Sequence, residues 1–201
     1  MTDDVDDAAL LARSRTDPAA FGGVFDRHYA AVHGYLRRRL GTDIADDLAS
    51  ETFVRAFSAR ERYDPAKASP RAWLFGIATH VLQQHRRREE RELRAYARSC
   101  FASVDSGTDD IDARADALRL RGRLATGLAA LPRAERDVLL LHAWSGLSDA
   151  EVAAALGVPP GTVRTRLFRA RRRLRERIPG IGEVQDEGSR RGEHDDGRPP
   201  A

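Results

Sequence analysis

Cysteine is almost absent from this sequence of 201 residues. Cys100 is the only one, so an intrachain disulfide and a metal site built from several thiolates are both excluded. No apolar run approaches the roughly 18 residues of a membrane span. The first residues also lack the basic segment followed by an apolar stretch that a secretory signal needs. We therefore expect a cytoplasmic protein that does not associate with a membrane.

The motifs of common catalytic centres are also missing. The 6 histidines show no H-E-x-x-H or similar ligand spacing, and the sequence has no phosphate-binding loop and no nucleophile motif. We therefore expect a protein that is not an enzyme and that has no catalytic residue, no metal and no cofactor.

Apolar residues recur at helical spacing along most of the chain, and no segment alternates as a β-strand does. The hydrophobic fraction of 41% is sufficient for real cores. We predict an all-α fold of two small helical domains, residues 1–95 and 112–180. A polar segment without periodicity at 96–111 is expected to be a flexible linker, and the Gly-rich tail at 181–201 is expected to be disordered.

Start and stop signals mark three long helices in the first domain. Asp17 can cap a helix that has Pro18 in its first turn and that ends at Gly41. A second helix is expected at about 43–58, and a third begins at Pro70.

The second domain has the pattern of a helix-turn-helix. Ser148 and Glu151 form an S-x-x-E capping box at the start of a short helix. Ala153, Gly157 and Val163 then fall at the offsets where this motif needs a small residue, a left-handed turn and a branched apolar residue. Because three residue types coincide with their required positions, an ordinary helical hairpin is the weaker interpretation.

The helix that follows the turn concentrates positive charge: eight arginines and one glutamate lie among the fifteen residues 164–178. Its apolar residues form a single stripe that must face the other helices of the domain: Val163, Leu167, Ala170, Leu174 and Ile178. The residues placed to meet a major groove lie away from the stripe or beside it: Arg164, Thr165, Phe168, Arg169 and Arg172.

The chemistry of these side chains suits DNA. An arginine can donate two hydrogen bonds to guanine, which contributes about 1–3 kcal/mol of discrimination, and Thr165 or Phe168 can contact a thymine methyl group. The remaining arginines would bind phosphates. A basic amphipathic helix alone would also suit a membrane surface or a peptide-binding partner. Neither alternative explains the capped helix and the turn that precede it.

A conventional regulator is the main alternative within the DNA-binding class. Its first domain would sense a ligand or dimerise, and the protein would bind paired half-sites as a symmetric dimer. A protein that used its helices only to pair with other proteins would leave the placement of the arginines unexplained.

Two stretches resemble one protein family. The longer stretch resembles the promoter-binding C-terminal domain of bacterial sigma factors in the extracytoplasmic-function group of the sigma-70 family. It reads LPRAERDVLLLHAWSGLSDAEVAAALGVPPGTVRTRLFRARRRLRE. The N-terminal domain of the same group resembles DDLASETFVRAF followed by SPRAWLFGIATHVLQQHRRR. Together these cover most of residues 10–95 and 112–178. The resemblance implies a sigma factor that binds core RNA polymerase and directs promoter-specific initiation at the −10 and −35 elements.

The resemblance also assigns a polymerase-docking helix. Asp47, Leu48, Glu51 and Phe53 match the family's contacts to the clamp helices of the largest subunit. The flap of the second-largest subunit is a further implied contact. Members of the group are often held inactive by an anti-sigma factor, so such a protein is an expected partner.

For the −10 element, the family uses the loop and helix that correspond here to Tyr63, His80 and Gln84, and Arg86 and Arg87 could hold the DNA backbone. The family commonly has asparagine where His80 stands, and an acid or asparagine near Gln84. Because a histidine offers different donors and acceptors from an amide, the −10 preference is left open.

For the −35 element, the residues that match the family's contacts are Arg164, Thr165, Phe168 and Arg169. The helical wheel selects the same four residues independently of the resemblance.

Overall fold

The computed structural model describes residues 6–85 and 112–178, and the described helices fall into two groups. The first group consists of α1 (Asp7–Arg13), α2 (Phe21–Leu40), α3 (Thr42–Ala59) and α4 (Pro70–Gln84). The second consists of α5 (Asp112–Ala129), α6 (Arg133–Ser145), α7 (Asp149–Leu156) and α8 (Pro160–Arg177). The described residues include no strand, and the predicted all-α class is confirmed. The predicted linker and tail lie outside these ranges.

The helix ends follow the local signals in the sequence. Gly41, Gly146 and Gly157 all have positive φ, at 85°, 68° and 63°, where a residue without a Cβ is favoured. At the start of α7, the Ser148 hydroxyl accepts a hydrogen bond from the Glu151 amide at 3.3 Å. Glu151 Oε2 accepts one from the Ser148 amide at 3.0 Å. The predicted capping box is therefore confirmed.

Helix α1 is an element that the sequence analysis did not identify. Seven residues are too few to establish a helical period, and acidic residues dominate this part of the sequence. Asp7 holds the helix on α2, since it accepts a hydrogen bond from Arg27 Nη1 at 2.9 Å and lies 2.6 Å from His28 Nε2. Leu11, the buried apolar residue of α1, is fully shielded from solvent.

The two groups of helices pack against each other. One continuous apolar core contains residues from α1 to α4 and also from α6, α7 and α8, and α4 lies against α7. The sequence analysis gave no sign of this packing, because it treated the two domains as independent. A smaller core lies between α5, α6 and α8. Across the described ranges, none of the helices combines the length and the apolar character needed to cross a bilayer.

Candidate nucleic-acid interface

Helix α8 presents one apolar and one polar face, as its sequence predicts. The whole predicted stripe is buried: Val163, Leu167, Ala170, Leu174 and Ile178. The opposite face is exposed and carries all five residues predicted to meet DNA: Arg164, Thr165, Phe168, Arg169 and Arg172. Phe168 is 65% exposed, and burying so large an apolar surface against a partner is favourable.

Two arginines of α8 also form ion pairs within the protein. Arg173 Nε lies 3.2 Å from the Glu135 carboxylate, which is itself nearly buried. Arg172 Nε lies 3.6 Å from Glu176 one turn further along. Arg173 therefore anchors α8 to α6, whereas the exposed pair at Arg172 can exchange its carboxylate for a phosphate at little cost.

Thr165 has a fixed hydroxyl. Its Oγ1 donates to the carbonyl of Gly161 at 2.9 Å, one turn earlier in the helix. The hydroxyl proton is satisfied within the protein, which leaves the hydroxyl oxygen as an acceptor and the methyl group for an apolar contact.

A shallow depression of about 230 Å³ lies beside the predicted face of α8. Its lining includes Arg164 and Phe168 together with Asp149, Arg171 and Arg175. The sequence analysis assigned Arg171 and Arg175 to phosphates only among the remaining arginines of the helix. Three guanidinium groups around one depression make an anion-binding surface continuous with the predicted face.

The first predicted −10 residue, Tyr63, is largely buried. Its ring packs on Trp73 with 5.1 Å between the ring centroids, and its hydroxyl donates to the carbonyl of Ala68 at 3.0 Å. Burial raises the pKa of the Tyr63 hydroxyl. In this conformation Tyr63 shapes the loop before α4 and does not offer its ring to a base.

The other described −10 residues, His80 and Gln84, are exposed and lie one turn apart on α4. Gln84 Oε1 accepts a hydrogen bond from Arg55 at 2.9 Å, which ties this part of α4 to α3. Arg86 and Arg87 lie outside the described residues.

A cleft of about 410 Å³ runs along α4 at this site. His80, Trp73 and Ile77 of α4 form one side, and Arg62, Asp64 and Lys67 of the preceding loop form another. The sequence analysis did not select Arg62 or Lys67, although two basic residues in a polar loop are a sequence signal for phosphate binding.

The residues predicted to dock on polymerase divide between the surface and the core. Asp47 is exposed and Glu51 is half-exposed, whereas Leu48 is 1% and Phe53 4% exposed. Leu48 and Phe53 therefore hold α3 from within, and the outer face of α3 is acidic.

The sequence analysis did not select two apolar residues that lie on this acidic surface. Val54 is 65% exposed, and Phe25 of α2 is 38% exposed with its ring 4.9 Å from that of Phe53. An apolar side chain in such a position suits a protein partner. The sequence signal was the adjacent apolar pair Phe53 and Val54. Adjacent residues of a helix point to different faces, so the two side chains cannot both be buried on one face.

Two family models match the chain, one on each group of helices. The sigma-70 region 2 model matches residues 24–92, which include α3 and α4. The sigma-70 region 4 model matches residues 121–174, which include the helix-turn-helix.

Two known proteins are similar to this chain in sequence, and one solved structure is similar to it in the arrangement of helices. The probable RNA polymerase sigma-C factor of Mycobacterium bovis is 39% identical over 127 residues, which are 63% of this chain and 66% of that protein. The ECF RNA polymerase sigma factor SigD of the same organism is 32% identical over 185 residues, 88% of this chain and 85% of that protein. The structure of CnrH in complex with the cytosolic domain of CnrY has a TM-score of 0.61 at 30% identity, covering 85% of this chain and 95% of that one.

Proposed function

Since this chain belongs to the extracytoplasmic-function group of the sigma-70 family, we propose that it is a specificity subunit of core RNA polymerase and directs initiation at promoters. It is not itself a catalyst and acts in the cytoplasm, where the polymerase transcribes. The observation that carries the proposal is the outward face of α8. An exposed phenylalanine among exposed arginines, on a helix whose other face is buried, fits a DNA groove.

Helix α8 reads the −35 element. Arg164 and Arg169 donate to guanine edges, while the Thr165 methyl and Phe168 make apolar contacts with thymine. Arg172 binds a phosphate, and Arg171 and Arg175 extend the phosphate contacts around the shallow depression.

The cleft along α4 receives an unpaired base of the −10 element. A base taken out of its stack needs an aromatic surface and a polar edge. The half-buried Trp73 supplies the first and the exposed His80 the second, and both line the cleft. Stacking on an aromatic side chain contributes about 1–3 kcal/mol per base. Arg62 and Lys67 on the opposite side neutralise the phosphates, a role that Arg86 and Arg87 extend.

Helix α3 docks on polymerase. Asp47 and Glu51 face the clamp helices of the largest subunit, and the exposed Val54 and Phe25 supply apolar contacts beside them. Leu48 and Phe53 contribute by holding the helix in place. The second group of helices contacts the flap of the second-largest subunit. Because CnrH was solved with the cytosolic domain of another protein bound, we include an anti-sigma factor among the partners.

Run-off transcription with purified core polymerase tests the proposal. Core enzyme with the full-length chain should initiate at defined start sites on some members of a promoter library, and core enzyme alone should not. A protein that adds nothing to core polymerase but protects a palindrome on its own would instead be a dimeric regulator, and the proposal would be wrong.

A further inference from the structure

A pocket of about 570 Å³ lies at the point where α2 ends, and residues of α2, α3, α5 and α6 line it. It is larger than the cleft along α4, and its volume falls within the range of about 300–1,000 Å³ that holds small-molecule ligands. None of the described residues assigned above to DNA or to polymerase lines this pocket. Its role therefore has to be derived from its own side chains.

Much of the lining is apolar. The buried side chains of Leu40, Ala125 and Leu128 take part, together with the half-buried ring of Trp144. Leu124 of α5 also lines the pocket, although it is 36% exposed. Covering apolar surface of this kind with an apolar ligand removes it from water, which is favourable. The pocket therefore suits a ligand with an apolar body.

Three exposed arginines add positive charge around this apolar surface. Arg37 and Arg38 belong to the last turn of α2, and Arg121 belongs to α5. Asp43 is the carboxylate in the described lining, so positive charge is in excess. Across residues 6–85 and 112–178, no ion pair or side-chain hydrogen bond of the protein engages any of the three guanidinium groups. Each can present two parallel donors to a carboxylate or a phosphate.

The helix dipole explains part of this charge. Cations in the last turn of a helix are stabilising, which is sufficient reason for Arg37 and Arg38. Arg121 lies in the middle of α5, where the dipole gives it no such role. The convergence of Arg121 with the other two around one apolar pocket is the observation that indicates an anionic ligand.

We propose that this pocket binds an amphipathic small-molecule anion. Its alkyl body lies against Leu124, Leu128 and Trp144, and its carboxylate or phosphate head accepts hydrogen bonds from the arginines. An anion without an apolar body gains only the attraction of exposed charges, which is weak in water. An amphiphile with a cationic head meets like charges. The proposal does not depend on the function proposed above, because the two concern different described residues.

Trp144 can report binding directly. Trp73 and Trp144 are the two tryptophans of the chain, so Trp73→Phe in the full-length protein leaves Trp144 as the source of indole fluorescence. Titration with dodecanoate or with dodecyl phosphate, each kept below the concentration at which it forms micelles, should change the emission until it saturates. Dodecyltrimethylammonium and inorganic phosphate should not produce this change. Comparison of the two anions shows whether the pocket prefers a carboxylate or a phosphate head.

Matched pairs of variants on α5 locate the site. Arg121→Gln should raise the Kd of the bound anion by roughly tenfold, because it removes charge-assisted hydrogen bonds. Arg123→Gln is its control, since Arg123 is exposed on the same helix but lies outside the lining. Leu124→Gln should also weaken binding, whereas Leu120→Gln, one turn earlier and outside the lining, should not. All four side chains are exposed, and circular dichroism should show the same helix content in every variant.

Three results would overturn the inference: neither anion binds, the cationic amphiphile binds equally well, or Arg121→Gln and Arg123→Gln lose equal affinity. If neither anion binds and Leu124→Gln weakens binding to core polymerase, the pocket is a protein contact and the inference is likewise wrong. Saturable binding of an anion by a chain that adds nothing to core polymerase in run-off transcription would establish the pocket and refute only the function proposed above.

Discussion

Arg39 Nη2 donates to Asp137 Oδ1 at 2.9 Å, and this pair joins residues that are 98 positions apart in the chain. The Arg39 side chain is fully buried and that of Asp137 is 7% exposed. Arg39 also donates to the Tyr35 hydroxyl at 2.8 Å. A charged pair therefore lies within the contact between the two groups of helices, and Tyr35, Gln83 and Arg133 are its polar neighbours.

Removing one member of this pair should lower the free energy of unfolding much more than replacing both members with apolar residues. Asp137→Ala removes the carboxylate that faces a buried guanidinium, and we expect a loss of about 3–5 kcal/mol in the free energy of unfolding. The double variant Arg39→Met with Asp137→Leu should stay close to the parent, because apolar residues of similar volume remove both desolvation penalties. Urea denaturation followed by circular dichroism measures both. A double variant as unstable as the single one would contradict this account.

Local patterns predicted the geometry of the second group of helices. The spacing of Val163, Leu167 and Ala170 established the buried stripe, and Ser148 and Gly157 established the ends of α7. These features depend on residues within one or two helical turns of each other, which is the range over which helix periodicity and capping act.

Contacts between residues distant in the chain escaped the sequence analysis. Nothing near Arg39 marks it for burial, since it stands among exposed arginines. Tyr63 was selected as a −10 residue, yet its ring packs on Trp73, because a loop aromatic can bury itself when a helix lies within reach. Both outcomes depend on tertiary packing, which no local pattern encodes.

Neighbouring residues of α8 should separate binding from stability. Phe168 is 65% exposed, so Phe168→Ala should leave the free energy of unfolding within about 0.5 kcal/mol of the parent and weaken −35 binding. Leu167 is 4% exposed, so Leu167→Ala should lower the free energy of unfolding by about 2–5 kcal/mol. Thermal unfolding and fluorescence anisotropy with duplex DNA measure the two effects. A Phe168 variant that binds DNA normally would remove this residue from the interface.

Two arginines should affect DNA binding in different ways. Arg169→Ala should lose about 1–3 kcal/mol of discrimination at one base pair of the −35 element, with core polymerase binding unchanged. Arg172→Ala should weaken binding to all sequences alike and reduce the log–log salt slope by about 1. Affinities for matched and substituted duplexes at several salt concentrations distinguish the two roles. Loss of polymerase binding in Arg169→Ala would contradict the division between the DNA and polymerase surfaces.

The α7 cap should make stability depend on pH. Hydrogen bonds from the Ser148 amide, and less strongly from the hydroxyls of Ser148 and Ser69, hold the pKa of Glu151 below its usual value near 4.3. A carboxyl with a lowered pKa in the folded state stabilises the protein at neutral pH, and this contribution is lost as the pH falls below that usual value and through the folded pKa. Acid should therefore loosen both the cap of α7 and its contact with Ser69.

Glu151→Gln is the variant that isolates this titration. The amide keeps an oxygen that can accept the Ser148 hydrogen bond, but it carries no charge to lose, so the share of the acid-dependent stability that Glu151 contributes should disappear. The share from Asp7, whose pKa is also lowered through hydrogen bonds from Arg27 and His28, should remain. Ser148→Ala should lower the free energy of unfolding by about 1 kcal/mol at neutral pH, since it removes the cap itself. Urea denaturation at pH values from 7 down to 3 measures all three proteins. If the parent and Glu151→Gln lose stability in parallel below pH 5, other carboxylates carry the acid dependence and the role given to Glu151 is wrong.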